Sequence, residues 1–448
     1  MALAVPAPAA DDPWRAAQRI VDAIVVPAFA DRDFAITDFG ASPGADRNAL
    51  PAVAAAIDAC HAAGGGRVIV PRGLWFMDGP IRFKSNVNLH LQAGAHVQFT
   101  GRAAAYLPVV FTRWEGTEVY NYSPFIYGRG LDNVAITGPG LLDGQGEANF
   151  LPWRANQRPD KNVLRQMGHD GVPVDQRVFG EGHWLRPPFV QFLDCRNILI
   201  DGPTLIDSPF WVIHPVYCDH VTVRNVKVVS HHINSDGVDP DSSTNVLIEN
   251  CDFDVGDDGV AIKSGRDQDG WRVGRPSADI VVRNCRYSGN TGGGMAIGSE
   301  MSGGVRRVYI EGWDIPKARH ALYFKANLDR GGLIEDVHIR NIRTGETDVL
   351  VIFTNDYHSY RGGTYPPRFE RVTFEDVRSD ATRIGFHISG HPNAPVRDVV
   401  LRNIAIGRAE VPAEIGHVEN VSFDQVWVNG APFEETDAVL PGTTKIRH

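Results

Sequence analysis

The sequence predicts an all-β protein: a parallel β-helix, a solenoid of short strands, closed near its N-terminus by a capping helix. Three observations predict it. A strand-like motif recurs from residue 133 to the C-terminal end, its spacing is irregular, and the one run with clear helical periodicity stands near the start.

The recurring motif reads "NVAITGPGLL" from Asn133, "RNILIDGPTL" from Arg196, "HVTVRNVKV" from His220 and "NVLIENCDF" from Asn245. It returns at Asp279, Arg307, Asp336, Arg371, Asp398 and Asn420. Apolar and polar residues alternate for about four positions, which is strand periodicity. An Asn, Gly, Asp or Gln usually follows, and Asn or Gly tolerates the left-handed backbone of a tight corner. The first apolar positions are Ile198, Val221, Val246, Ile280, Val308, Val337, Val372, Val399 and Val421, roughly 22 to 35 residues apart. That spread is too irregular for propeller blades and too rich in strands for helical repeats. It suits coils whose inward side chains stack on those of the next. Cys251 and Cys285 hold the same place one coil apart, as stacking requires.

The helical run is "NALPAVAAAIDACHAAGGG" from Asn48, ended by glycines, and solenoids need such a cap on their first coil. Residues 1–33 read as an N-terminal leader or extension, and residues 34–448 as a single catalytic β-helix domain. Residues 145–190 break the rhythm with Trp, Pro, Arg and Gly, and read as a long loop beside the solenoid. With loops near 106–124 and 355–367, they are expected to form the ends of a cleft.

A net charge of −10 argues against a nucleic-acid partner. It leaves an acidic sugar possible, since local cations outweigh a global field. No apolar run approaches the ~18 residues of a membrane span. The five cysteines are odd in number and too sparse for a disulfide framework, and no CxxC occurs, so buried thiols are expected. "MALAVPAPAADDPW" resembles the small-residue tail of a signal peptide, and a secreted or periplasmic protein is expected; a disordered cytosolic leader is the alternative.

The chemistry concentrates in "HHINSDGVDPDSSTNVLIENCDFDVGDDGVAIKSG", residues 231–265, which sets seven aspartates among strand-like residues. Overlaying "NSDGVD" from Asn234 on "GDDGVA" from Gly256 puts Asp236 over Asp258 and Val238 over Val260. "TGGGMAI" continues the column with Gly292 at Asp257 and Met295 at Val260; "ALYFKAN" adds Leu322, and Lys325 in the column of Lys263. Neighbouring strands lie ~4.8 Å apart, so Asp236, Asp257 and Asp258 should cluster across two coils. Carboxylates that close split their pKa values, as an acid and a base working at one pH require. Turn residues, a calcium site and a solvated edge are the competing readings; for Asp252 and Asp254 the solvated face is preferred.

Those residues resemble family 28 of the glycoside hydrolases, the polygalacturonase and rhamnogalacturonase group with a pectin-lyase-like β-helix. Asn234-Ser235-Asp236 stands for its Asn-Thr-Asp, and Gly256-Asp257-Asp258 for its Gly-Asp-Asp; "AIGSEMSGGV", "KANLDRGG" and "DFGASPGADRNALPAVAAAIDAC" match the flanks of later motifs and the usual opening. The resemblance implies a right-handed β-helix and hydrolysis with inversion, using no cofactor and no metal. It makes Asp257 the general acid, Asp236 and Asp258 the pair that positions and deprotonates water, and Lys325 a substrate ligand. Asn234 would orient the cluster, and Lys263 would be a second ligand or a charge-balancing partner. If water fits between acid and base, Asp257 should lie ~6.5–9.5 Å from Asp236 or Asp258.

The chain departs from the family pattern twice. Gly292 stands at the histidine of Gly-His-Gly, and Tyr323 at the arginine of Arg-Ile-Lys. His231, His232 or His320 is a candidate to approach from a neighbouring coil. Tyr323 is either a stacking face for a sugar or a packed surface aromatic. The expectation is an inverting hydrolase of pectic cell-wall polysaccharides, with a β-helix lyase or a non-catalytic glycan-binding β-helix as alternatives. Loss of the arginine, and space at Gly292, predict weak action on plain polygalacturonate and better action on rhamnose-containing pectic chains.

Overall fold

The structure, a computed structural model, describes residues 12–289 and 291–440. The first eleven residues, which carry most of the expected signal-peptide tail, lie outside that range.

The nine apolar positions fall in one parallel register. Ile198 pairs beside Val221, Val221 beside Val246, and the column continues through Ile280, Val308, Val337, Val372 and Val399 to Val421. A second column runs Leu142, Leu205, Val228 and Phe253. A third runs Val260, Met295, Leu322, Val351 and Phe386. Each coil thus offers three faces, and their inward side chains meet in one continuous apolar core. Truncating such a residue to Ala costs about 2–5 kcal/mol, because neighbouring coils close the cavity only in part.

The corners are where the backbone turns left-handed. Asn133, Asn197, Asn245 and Asn420 have φ of 52–56° just before their columns, and Asn225, Asn250 and Asn284 have φ of 54–55° just after. Their amides also tie coils together: Asn197 Nδ2 donates to Asn133 Oδ1 at 2.9 Å, and Asn245 Nδ2 to Asp219 Oδ1 at 2.7 Å. Asparagine therefore suits the corner in both backbone and side chain. All five cysteines are free and buried, and Cys251 and Cys285 stack in adjacent coils.

Among the described residues, five α-helices decorate the solenoid: α1 (Pro13–Ala23), α2 (Leu50–Ala62), α3 (Gly146–Asn149), α4 (Arg154–His169) and α5 (Asp267–Val273). The expected cap is α2, which buries Val53, Ala56, Ile57 and Cys60 in the main core. It ends where Gly64 and Gly65, both at positive φ, donate to the carbonyls of His61 and Cys60.

Two segments differ from expectation. Within the predicted leader, α1 is capped by Asp12 and lays Ala17, Ile20 and Val21 against Leu247, Val281 and Tyr309 on the outer wall. Its apolar stripe has helical spacing but spans only three turns. The predicted loop at 145–190 contains α3 and the four-turn α4. Pro159 lies inside α4 and its apolar stripe is thin, so both period and composition pointed away from a helix. The hairpin Val110–Trp114 with Thr117–Asn121 packs against this segment, and Trp114, Val119, Leu164, Phe179 and Leu185 form a separate small core with Phe210 and Trp211.

Candidate active site

The aspartates sit at the turn preceding the third strand of two successive coils, where Val238 bridges to Val260. One carboxylate oxygen from each of Asp236, Asp257 and Asp258 lies within 4.8 Å of the others. The expected separation of ~6.5–9.5 Å is therefore not what the structure has at the nearest oxygens. The reason is geometric: all three rise from one sheet face at strand spacing, not from opposite walls of a cleft.

Their surroundings differ. Asp258 is 2% exposed; its Oδ2 accepts from Lys325 Nζ at 2.6 Å and its Oδ1 from the Gly293 N–H at 3.1 Å. Asp257 is half-buried and accepts from the N–H groups of Asn234 and Asp258. Burial, and then the charge of Asp258, raise its carboxyl above the ordinary aspartate range. Asp236 is 3% exposed, and burial followed by Asp239 and Asp257 pushes its carboxyl well up. Asp239 is completely buried, burial drives it to about 8, and neither of its oxygens has a hydrogen-bond partner among the described residues. Four carboxylates share this site with two lysines, so at neutral pH the cluster as a whole retains protons.

Lys263 stands among carboxylates and also lines the cavity. Its Nζ lies 3.6 Å from Asp236, 3.5 Å from Asp239 and 3.4 Å from Glu300, and 4.4 Å from the Trp211 ring centroid. Burial works against Lys325, but Asp258, Tyr357 and Asp257 outweigh it and hold its pKa well above the usual value. Asn234, at φ 61°, gives its N–H to Asp257 and accepts from the buried Arg186 at 2.9 Å. The remaining aspartates are spoken for. Asp241 pairs with Arg113 at 2.8 Å, Asp254 with His231 at 2.8 Å, and Asp252 lies 3.8 Å from Arg286 on the half-exposed face.

Both departures from the family pattern resolve differently from expectation. A Cβ at Gly292 would come within 2.5 Å of the Asp257 backbone, so close packing, not open space, occupies that position. Tyr323 is 3% exposed and packs among Ala261, Ala296, Val349 and Ile352, which leaves it no face for a sugar. Tyr357, one coil on, lines the cavity instead. Of the three histidines, His320 pairs in register with Gly293, and burial lowers it to about 3, against the pull of Asp258. His231 and His232 line the cavity rim, paired with Asp254 and Asp207.

The cavity over the cluster measures about 800 Å³ and reaches from Asp236 and Asp257 to α4 and the 357–359 turn. Eight Lys and Arg side chains line it against four carboxylates, so its field is positive although the whole chain is acidic. Half of these cations, Arg154, Arg158, Lys161 and Arg165, come from α4. Their i, i+3 and i, i+4 spacing was the available signal, overlooked because the segment read as a loop. Glu300 was missed too. Burial opposes its charge, yet Arg266, Lys263 and Arg330 hold its pKa well below the usual range.

Comparison with known proteins bears on the family and the fold. The model of glycosyl hydrolases family 28 matches residues 60–425. A probable polygalacturonase of Vitis vinifera is 28% identical over 375 residues, 80% of this chain and 71% of its own length. The crystal structure of a hyperthermoactive exopolygalacturonase from Thermotoga maritima is 37% identical with a TM-score of 0.91, covering 94% of this chain and 97% of that one. The family 28 exopolygalacturonase of Yersinia enterocolitica, 20% identical with a TM-score of 0.71 over 89% of this chain and 78% of its own, shares the fold. With more than half its length matched, this right-handed parallel β-helix belongs to family 28 of the glycoside hydrolases.

Proposed function

We propose that the protein hydrolyses glycosidic bonds between galacturonate units of pectic chains, with Asp257 as general acid. The carrying observation is the carboxylate cluster beneath a cavity whose lining is strongly cationic. Burial and then Asp258 raise the Asp257 carboxyl, which favours the protonated form that delivers a proton to the leaving glycosidic oxygen. Asp236 and Asp258 position a water, and Asp258, ion-paired with Lys325, takes the water's proton as the bond from the water oxygen to the anomeric carbon forms. Hydrolysis balances: the old C–O bond breaks, the acid's proton leaves with the alcohol, and the base holds the proton from water. No metal enters this scheme; the Lys263 and Lys325 ammonium groups supply the positive charge. Lys325 would also hold a substrate carboxylate as a point charge.

Inversion follows from the family assignment. Retention, whose two carboxyl groups lie about 5–5.5 Å apart, is the alternative. NMR of the first-formed anomer decides between them, and a retained anomer would overturn the water-as-nucleophile step. The expected preference for rhamnose-containing chains loses the apolar face and the space it drew on, since Tyr323 is buried and Gly292 is closely packed, although the arginine is still absent. Polygalacturonate is therefore the proposed substrate class, to be tested by reducing-sugar release from polygalacturonate against rhamnogalacturonan oligomers. Higher kcat/KM on rhamnogalacturonan would restore the earlier expectation. A product absorbing as an unsaturated uronate would point to a lyase. Action on such a polymer supports a secreted or periplasmic enzyme, and the catalytic unit is taken to begin near residue 34, with α1 as an external strap.

A further inference from the structure

The cations of α4 differ from one another in their partners. Arg165 is paired with Glu115 at 2.7 Å, and elsewhere in this wall Arg177 is paired with Asp269 at 2.7 Å. Arg158 and Lys161 have no hydrogen-bond or ion-pair partner among the described residues, and both face the cavity. They also line an adjoining groove of about 380 Å³, with Arg165 and Ser359 common to both spaces and Arg361 on the far side. No carboxylate lines that groove. Its two walls are joined, since the Arg361 guanidinium donates to Gln166 of α4 and the Arg361 N–H to Asp329 at 2.7 Å.

Lys161 is the telling residue. It is half-buried, and though Glu115 favours its charge, burial together with Arg165, Arg266 and Arg158 lowers its pKa below the usual lysine value. A charge crowded by like charges and left unpaired weakens the folded state unless an anion joins it. The groups around it are fixed by an ionic chain from the catalytic floor: Lys263 to Glu300, Glu300 to Arg266, Arg266 to Glu115 and Glu115 to Arg165. The site is thus rigid beneath and unsatisfied above.

We propose that the groove between α4 and the 357–361 turn is a carboxylate-binding subsite, in which Arg158, Lys161 and Arg361 hold an anionic sugar beyond the unit at the aspartates. This rests on the galacturonate reading of the active site and deepens it: it supplies, from an appended helix, charge that position 323 does not. A guanidinium fork beside an ammonium suits a uronate carboxylate, and a methyl ester at that unit would lose the contact.

Calorimetric titration tests it in the full-length Asp257→Asn protein, using a galacturonate tetramer with free carboxylates and the same tetramer methyl-esterified. Lys161→Gln is expected to raise Kd for the free acid at least tenfold and to change Kd for the ester less than twofold, with Arg158→Gln adding to the loss. Lys161→Arg should retain most of the affinity. Because the lysine is crowded, Lys161→Gln should melt no lower than its parent, which separates lost recognition from lost folding. A free-acid Kd within twofold of the parent, or equal losses for acid and ester, would overturn the subsite. Wild-type cleavage of polygalacturonate is measured alongside. Absent cleavage with a carboxylate-selective loss sinks the hydrolase reading and leaves the subsite standing; cleavage with no selective loss does the reverse.

Discussion

The floor and the wall of the active site are made in opposite ways. The floor is a regular sheet face, where Val238, Val260, Met295 and Leu322 set a register that delivers Asp236, Asp257, Asp258 and Lys325 to one place. The wall is an insertion with its own small core, where α4 and the hairpin at 110–121 hold charge over that floor. Stacking at a fixed spacing brings acids close enough to perturb one another, which is what proton transfer needs. An insertion, free of the repeat, adjusts charge and shape without disturbing the coils. In the proposed function, the chemistry falls to the floor and further substrate contacts to the wall.

Removing the acid tests that division most severely. Asp257→Asn is expected to lower kcat about 10²–10⁴-fold with an unchanged melting temperature. Near-normal turnover in a folded variant would take the acid role from Asp257. Lys325→Met comes next, since it strips the buried Asp258 of its 2.6 Å partner. A loss of about 3–5 kcal/mol in stability is expected, together with lost activity; denaturant unfolding measures it, and a wild-type midpoint would contradict the pairing.

On the wall, Glu115→Gln breaks the tie between Arg165 and Arg266. The expected effect is a severalfold rise in KM with kcat little changed, because the floor keeps its geometry. A fall in kcat at unchanged KM would mean that the wall takes part in chemistry. The pH dependence carries a further distinction. Asp257 acts in its protonated form and its pKa is raised, so kcat/KM should hold above the ordinary aspartate range and fall as pH rises through that raised value. Full activity on that limb in a folded Asp257→Asn protein would refute it.

The smallest effect concerns Asp239. Its carboxyl titrates near 8 in the folded state against about 4 unfolded, so the native state binds the extra proton. Stability from that group is present at low pH and is lost as pH rises from about 4 through 8. Asp239→Asn should therefore raise the melting temperature more at pH 8 than at pH 5. An equal shift at both values would show that Asp239 does not change its protonation between them, contrary to this expectation.

What the sequence determined by itself was whatever the repeat carries. Period-two alternation and corner asparagines were enough to infer the coils, the column from Ile198 to Val421, and the clustering of Asp236, Asp257 and Asp258, because side chains in register must stack. Tertiary structure alone decided the rest. Tyr323 was legible as an aromatic but not as a buried one, since burial depends on Ile352 and Ile384 from later coils. The α4 cations were legible as charges but not as a wall, because a proline-containing helix with a thin apolar stripe is specified by what it packs against. Local periodicity reads a repeating fold; the partners of a side chain that come from distant segments exist only once the chain has closed around them.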